Sequence, residues 1–152
     1  MNMIKKFAIA LISAASIGLA SAGEFKTDFK AAQSEAAKSN KSLLVIFTGS
    51  DWCLPCKELH KNVFSKNEFI KGAEKKFVIV ELDYPRKKKL PDALKEQNMA
   101  LAKKYKVAGF PTVLLMDAKG KVFKKVDQGR TAKTPKAYLT SINTSQKARR
   151  FR

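Results

Sequence analysis

Cysteine and histidine are the scarcest chemically active residues of this sequence: its 152 residues include two cysteines and one histidine. A closed structural zinc site takes four ligands, mostly cysteine and histidine, so these three residues cannot complete one. Covalent haem attachment needs a histidine directly after the second cysteine of a Cys-x-x-Cys pair. Lys57 occupies that position. The sequence therefore predicts neither a closed structural zinc site nor a haem protein.

Long apolar runs are also scarce, and the longest lies near the start of the chain. Residues 7–19 are mostly apolar and uncharged, two lysines precede them, and Ala20-Ser21-Ala22 follows. The run is shorter than the roughly 20 residues that a membrane-spanning helix needs. This order of basic, apolar and small residues is that of a secretory signal peptide cleaved after Ala22, and a retained membrane anchor is the alternative. We therefore expect an exported protein, periplasmic or secreted, with one domain over 23–144 and a basic tail over 145–152.

Acidic residues are few: 13 carboxylates face 31 lysines and arginines, a formal net charge of +18 at pH 7. Such an excess raises the question of nucleic-acid binding. The cations are spread along the chain, however, and no zinc-finger, RNP-like or KH-like pattern occurs, so nucleic acid is an unfavoured partner. A solvated lysine-rich surface is the simplest interpretation. Two clusters, residues 86–89 and 147–152, could instead bind an anionic envelope surface or an acidic protein.

Apolar patterning and turn residues predict the element order α-β-α-β-α-β-β-α, with two helical pieces in the second helical position. Residues 42–47 form a continuous apolar run, typical of a strand buried on both faces. Ser50 and Asp51 are candidate N-caps, and residues 65–68 have the pattern of a capping box. We expect a frayed chain after Thr144. The predicted helices are 25–39, 53–61, 68–75, 92–105 and 134–143, and the predicted strands are 42–47, 76–83, 111–117 and 121–127.

The connections between the strands predict their directions. A helix lies between the first two predicted strands, which implies that these strands are parallel and joined by a right-handed crossover. The short turn at 118–120 implies an antiparallel pair, and the alternating pattern of residues 121–127 is that of an edge strand. The fold class is therefore α/β: one mixed four-stranded sheet with helices on both faces.

The two cysteines, Cys53 and Cys56, lie where the first predicted strand gives way to a helix. A helix N-terminus stabilises a thiolate, and the thiolate is the attacking species in thiol–disulfide exchange. A spacing of three brings both sulfur atoms together on the first helical turn, and Pro55 is tolerated there. A purely structural disulfide would close a very small loop and contribute little stability. A metal site that adds His60 to the pair is the other alternative.

Two motifs in this order and spacing resemble the thioredoxin superfamily: Trp52-Cys53-Leu54-Pro55-Cys56-Lys57 after the first strand, and Val107-Ala108-Gly109-Phe110-Pro111-Thr112 before the third. The resemblance extends over about 25–142 and implies a thioredoxin fold. It implies that Cys53 is the exposed nucleophile, that Cys56 is the buried resolving cysteine, and that the two form a redox disulfide. It also implies a cis Pro111 whose neighbouring backbone pairs with a bound substrate, in a groove that Trp52, Leu54, Pro55 and Phe110 help to form.

Two departures from the family pattern bear on mechanism. Thioredoxins often carry a buried acid on the first strand that helps to move the proton of the second cysteine, and residues 42–47 contain no acid. Glu58, Glu81 or a water molecule could replace it. Residues 85–98 are longer than the family needs between strand and helix, and they include the basic residues 86–89, so this insertion could shape partner choice.

The resemblance implies an exported thiol–disulfide oxidoreductase that acts on cysteine pairs of other exported proteins and needs no cofactor. Cys-x-Pro-Cys resembles the reducing members more than the oxidising ones, so we expect a reductase or an isomerase rather than an oxidase. An exported reductant needs a membrane-bound electron donor, because its compartment is kept oxidising. The alternative is a binding module on the same scaffold, which would hold an anionic protein or envelope partner through its basic surface.

Overall fold

The computed structural model describes residues 25–127 and 133–149. The predicted signal peptide over 1–22 and the last three residues of the predicted basic tail lie outside these ranges. The described residues form five helices and four strands: α1 (Phe29–Lys38), β1 (Ser42–Thr48), α2 (Leu54–Leu59), α3 (Asn67–Glu74), β2 (Phe77–Asp83), α4 (Asp92–Lys104), β3 (Thr112–Met116), β4 (Val122–Val126) and α5 (Pro135–Arg149). A π-helical turn, His60–Phe64, directly continues α2.

The sheet is mixed and four-stranded, with the order β2-β1-β3-β4. β1 runs parallel to β2 and antiparallel to β3, and β3 is antiparallel to β4. Gly120, with a φ of 83°, completes the turn between β3 and β4, a backbone conformation that suits glycine. The predicted sheet, its strand directions and the edge position of β4 are thereby confirmed.

Two apolar clusters cover the two faces of the sheet because side chains of β1 point alternately to either side. Leu44 and Ile46 pack in a cluster with residues of α3, α5 and the π-helical turn. Leu43, Val45 and Phe47 pack in a second cluster with residues of α1 and α4. Every residue of β1 is buried, as the continuous apolar run predicted. The loop that leads to the two cysteines follows this buried strand directly.

The prediction of a helix from residue 25 is wrong at its start. The α1 helix begins at Phe29, where the Asp28 side chain caps it by accepting a hydrogen bond from the backbone N–H of Ala31. Lys26 lies beside β2 instead. Its N–H donates to the carbonyl of Ile79, and its carbonyl accepts from the N–H of Glu81. The free edge of β2 and a good N-cap together favour an extended segment before the helix.

Three other helix boundaries differ from the prediction. The second helical segment runs to Phe64 rather than residue 61, and the wider π-helical turn ends with Val63 and Phe64 both buried. The predicted capping box does not form, because Lys66 is the N-cap of α3 and the Ser65 hydroxyl donates to the Lys61 carbonyl. The last helix continues to Arg149 instead of fraying after Thr144. No helix among residues 25–127 and 133–149 has the length and apolarity to cross a membrane.

Candidate active site

Both cysteines lie at the start of α2, and Cys53 comes five positions after the end of β1. Cys53 is the N-cap of the helix, Pro55 occupies the second helical position, and Cys56 lies within the first turn. The two cysteines form a disulfide, with their Cα atoms 5.3 Å apart. The helix geometry therefore brings the two sulfur atoms together, and Pro55 costs no helical hydrogen bond at this position.

The disulfide is less exposed than the sequence suggested. Cys56 is 3% exposed, in agreement with its predicted burial, but Cys53 is only 5% exposed. The expectation of an exposed Cys53 is therefore wrong for the disulfide form, because the bond turns its side chain toward Cys56. The neighbouring Leu54 is 66% exposed, so the surface beside the disulfide includes an apolar side chain.

Hydrogen bonds join the loop before the disulfide to β2 and to the segment that follows β2. The predicted N-cap roles of Ser50 and Asp51 are wrong, since Cys53 takes that position. Ser50 donates to both carboxylate oxygens of Asp83, from its N–H at 2.9 Å and from its hydroxyl at 2.6 Å. Asp51 accepts three backbone hydrogen bonds from residues 86–88. The N–H of Arg86, above all, lowers the pKa of Asp51 to about 2, so this carboxyl is ionised at neutral pH.

Trp52 occupies the surface next to Cys53 and is fixed from several sides. Its indole N–H donates to the Tyr84 carbonyl at 2.8 Å. Its ring meets the Phe110 ring edge-on, with centroids 5.8 Å apart, and the Arg86 guanidinium lies 3.9 Å from its centroid. A Cβ atom at Gly49 would come within 2.6 Å of the indole, so glycine is needed there for Trp52 to pack. Trp52 and Phe110, which the sequence placed in one groove, are in contact.

The second motif forms one wall of an open groove. The Phe110–Pro111 peptide bond is cis. Phe110 and Pro111 line a groove of about 660 Å³ together with the ends of β3 and β4. A Cβ atom at Gly109 would meet nothing within 4 Å, so the backbone before Pro111 is open to a partner. Leu54 and Pro55 are exposed and are not among the residues that line this groove.

Tyr84 supports this aromatic surface, and sequence reasoning missed it. Its ring packs on Phe110, with centroids 4.9 Å apart, and on Phe47. Its hydroxyl donates to the Asn98 carbonyl, and burial raises its pKa. The buried Asn98 side chain in turn donates to the Asp83 carbonyl at 2.9 Å. An aromatic residue directly after a buried strand was the available signal, but its partners come from distant positions.

The sequence left open which carboxyl could help to move the proton of Cys56, and the structure distinguishes the two candidates, Glu58 and Glu81. Glu58 is exposed on α2, whereas Glu81 on β2 is 26% exposed at its side chain and lies 4.0 Å from His60 Nδ1. Burial raises the pKa of Glu81, the charges of His60 and Lys88 oppose that rise, and Asp83 adds to it. Of the two carboxyl groups named as candidates, Glu81 is the one whose surroundings favour holding a proton.

We expect Glu81→Gln to stabilise the protein at pH 7 and to have little effect near pH 4. A carboxyl whose pKa is raised in the folded state binds more protons there than in the unfolded chain, so stability declines as the pH rises through its titration. Glutamine mimics the protonated form and removes that loss. Thermal unfolding should show a higher Tm for the variant than for the parent protein at pH 7, and nearly equal values near pH 4.

The matched control is Glu58→Gln, which removes an exposed carboxylate from the neighbouring helix. Its effect on Tm should be small and the same at both pH values. A lower Tm for Glu81→Gln at pH 7 would contradict the prediction and would mean that the ion pair with His60 outweighs the cost of burial.

Comparison with known proteins places this site in a family. The family model described as a thioredoxin-like domain matches residues 29–142. Thioredoxin-related protein DsbJ of Chlamydia pneumoniae is 37% identical over 89 residues, which cover 59% of this chain and 26% of DsbJ. Disulfide bond reductase DsbH of the same species is 32% identical over 114 residues, which cover 74% of this chain and 66% of DsbH. The chain thus spans about a quarter of one relative and about two thirds of the other.

A solved structure shares the architecture over nearly the whole chain. The structure titled DsbH oxidoreductase superposes with a TM-score of 0.75 at 25% sequence identity, covering 96% of this chain and 95% of that one. The family match extends from the first residue of α1 into α5 and includes both cysteines and Pro111. The chain therefore belongs to the thioredoxin-like domain family.

Proposed function

We propose that this protein is an exported thiol–disulfide oxidoreductase that exchanges disulfides with cysteine pairs of other exported proteins and needs no cofactor. The observation that carries the proposal is the Cys53–Cys56 disulfide at the first turn of α2. The small size of the loop that it closes supports a reactive rather than a structural bond, because a cross-link with two intervening residues has little value for stability.

In the reducing direction, the Cys53 thiolate attacks one sulfur of a substrate disulfide. A mixed disulfide forms, and the other substrate sulfur leaves as a thiolate. The Cys56 thiolate then attacks the Cys53 sulfur, the Cys53–Cys56 bond forms, and the second substrate sulfur leaves. Two electrons and two protons pass from the two protein thiols to the substrate, which ends as a dithiol.

The substrate chain would lie across the aromatic surface beside the disulfide. Trp52 and Phe110 offer apolar faces that are already in contact, and the open backbone before Pro111 leaves room for main-chain pairing with an extended peptide. Leu54 and Pro55, exposed next to the disulfide, would contact the substrate on its other side.

We assign the reducing or isomerising direction rather than oxidation. The name of the relative DsbH, disulfide bond reductase, supports this direction, as does the Cys-x-Pro-Cys sequence. Signal-peptide cleavage near Ala22 would deliver the protein to the periplasm or the exterior. That compartment is oxidising, so each catalytic cycle would need two electrons from a membrane-bound donor.

A redox titration of the purified protein tests this direction. Equilibration with glutathione or dithiothreitol buffers, followed through the fluorescence of Trp52, the single tryptophan, gives the reduction potential of the disulfide. We expect a value closer to the thioredoxin value of about −270 mV than to the DsbA value of about −120 mV. A potential at or above about −150 mV would contradict the reductase assignment and favour an oxidase.

A binding module is the second candidate, because residues 86–89 present four exposed cations beside the site. In cells that lack the protein, complementation separates the two functions. Full complementation by the Cys53→Ser/Cys56→Ser variant, together with its loss when residues 86–89 are neutralised, would replace the redox function with the binding function.

A further inference from the structure

The segment 86–89 is a group of four cations that form no close ion pair with a carboxylate of the described residues. Arg86, Lys87, Lys88 and Lys89 are all exposed. Within the described part of the chain, the ion pairs are Lys26–Glu35 and His60–Glu81, and no carboxylate lies within 4.0 Å of these four charged groups. The charges of this segment are therefore available to an outside partner.

The backbone of the segment is attached directly to the active-site loop. Asp51, two residues before Cys53, accepts hydrogen bonds from the N–H groups of Arg86 at 3.0 Å, Lys87 at 2.7 Å and Lys88 at 3.0 Å. The carboxylate of Asp51 thus binds the main chain and forms no ion pair with the side chains of this segment. This anchor fixes the distance between the segment and the disulfide.

The positive charge of Arg86 lies on the proposed substrate-binding surface of the protein. Its guanidinium lies 3.9 Å from the centroid of the Trp52 ring, and that ring touches Phe110. Stacking on an aromatic face holds a guanidinium in place while its N–H groups stay free for a carboxylate. A fixed cation therefore lies on the same surface as the two aromatic residues that the proposed function assigns to substrate binding.

A cleft extends this surface from Arg86 toward α4. It has a volume of about 530 Å³, and its lining combines cations with apolar side chains, including Lys88, Lys89 and the 60% exposed Met99. Two carboxylates, Asp83 and Asp92, also line it, and Asp83 already accepts two hydrogen bonds from Ser50. Mixed apolar and cationic linings suit polypeptide side chains better than an array of phosphates.

We propose that the segment 86–89 and the Arg86–Trp52 pair form a docking surface for protein substrates that carry acidic residues next to their reacting cysteine. The proposal rests on the proposed oxidoreductase function and names the substrate class of that site. Electrostatic complementarity of this kind raises association rates and selects among partners more than it raises affinity. The substrate cysteine would reach Cys53 while its neighbouring carboxylates contact Arg86, Lys88 and Lys89.

Three peptides test the proposal. Each has the same length and one internal disulfide, flanked by two glutamates, two glutamines or two lysines. The measured quantity is the second-order rate constant for reduction of each peptide by the reduced protein, followed through Trp52 fluorescence. We expect the glutamate peptide to react about tenfold faster than the glutamine peptide at low ionic strength, and the ratio to approach one at about 0.5 M salt.

Two charge-matched variants locate the effect. Arg86→Gln/Lys88→Gln/Lys89→Gln should reduce the glutamate-to-glutamine ratio from about ten to about one. Lys71→Gln/Lys75→Gln/Lys76→Gln removes the same charge from exposed residues near the start of β1, at the other end of the sheet, and should keep the ratio. An equal loss in both variants would mean that net charge is responsible, and would overturn the proposal.

The remaining outcomes separate the proposal from its premise. Reduction of all three peptides at one rate would overturn the docking surface and leave the oxidoreductase function intact. Failure to reduce any of them would refute that function and the docking surface with it. Unchanged peptide selectivity in the 86/88/89 variant, combined with lost binding to phosphatidylglycerol vesicles or to duplex DNA, would assign the cations to lipid or nucleic acid and overturn the proposal.

Discussion

Replacing Cys53 with serine is expected to abolish disulfide reduction, with a loss of at least about 10³-fold in turnover. A serine hydroxyl is not ionised near neutral pH and cannot form a disulfide, so the first step of the exchange is lost. The measurement is the rate of insulin reduction by the purified protein with dithiothreitol as electron source. Turnover by Cys53→Ser above the uncatalysed rate would refute the assignment of Cys53 as nucleophile.

Cys56→Ala is the matched variant, because it keeps the nucleophile and removes the resolving thiol. It should also lose turnover, but it should accumulate a mixed disulfide through Cys53 that non-reducing electrophoresis and mass spectrometry detect. Expressed in the native envelope, the same variant would capture the physiological partners. Neither change should alter Tm by much, because the disulfide closes a loop of only two intervening residues.

The largest expected effect on stability comes from Phe69→Ala. Phe69 is fully buried, and its ring lies 5.1 Å from Phe64 and 5.8 Å from Tyr138, centroid to centroid. The three rings connect α3, the π-helical turn and α5 on one face of the sheet. Truncation removes these contacts and leaves a cavity, which costs about 3–5 kcal/mol. That is a large part of the total of about 5–15 kcal/mol that holds a typical domain folded.

Urea denaturation followed by far-UV circular dichroism measures this effect. Phe69→Leu should cost less than Phe69→Ala because it preserves more of the buried volume. Leu54→Ala, at a residue that is 66% exposed, should lie within about 0.5 kcal/mol of the parent protein. A loss below about 1 kcal/mol for Phe69→Ala would show that the aromatic cluster repacks around the gap.

The fold was largely predictable because its main signals are local. Residues 42–47 alternate between two buried faces, and that pattern requires helices on both sides of the sheet. The start of α1, which was predicted wrongly, depends on a non-local partner. Lys26 is extended because the edge of β2 lies beside it, and no pattern within residues 25–39 records that edge.

Within the site, the cysteine pair and the Phe110–Pro111 motif were predictable from the sequence. The contacts that hold the surrounding residues in place were not. Ser50 and Asp51 looked like helix caps, because short polar residues before a helix usually are. Their side chains instead bind Asp83 and residues 86–88, more than 30 positions along the chain. Tyr84 was missed for the same reason, since its contacts with Phe47, Phe110 and Asn98 exist only in the folded chain.

The sequence alone determined the chemistry of this protein: two cysteines three positions apart, a helix that begins between them, and a buried strand that precedes them. These features depend on spacing and apolar periodicity, which act over a few residues. The tertiary structure decided what surrounds the disulfide. Only the pairing of β1 with β2 brings residues 83–88 against the loop at 50–52, and so places Arg86 over Trp52. Charge at positions 86–89 is visible in the sequence, but its location beside Cys53 follows from the register of two parallel strands.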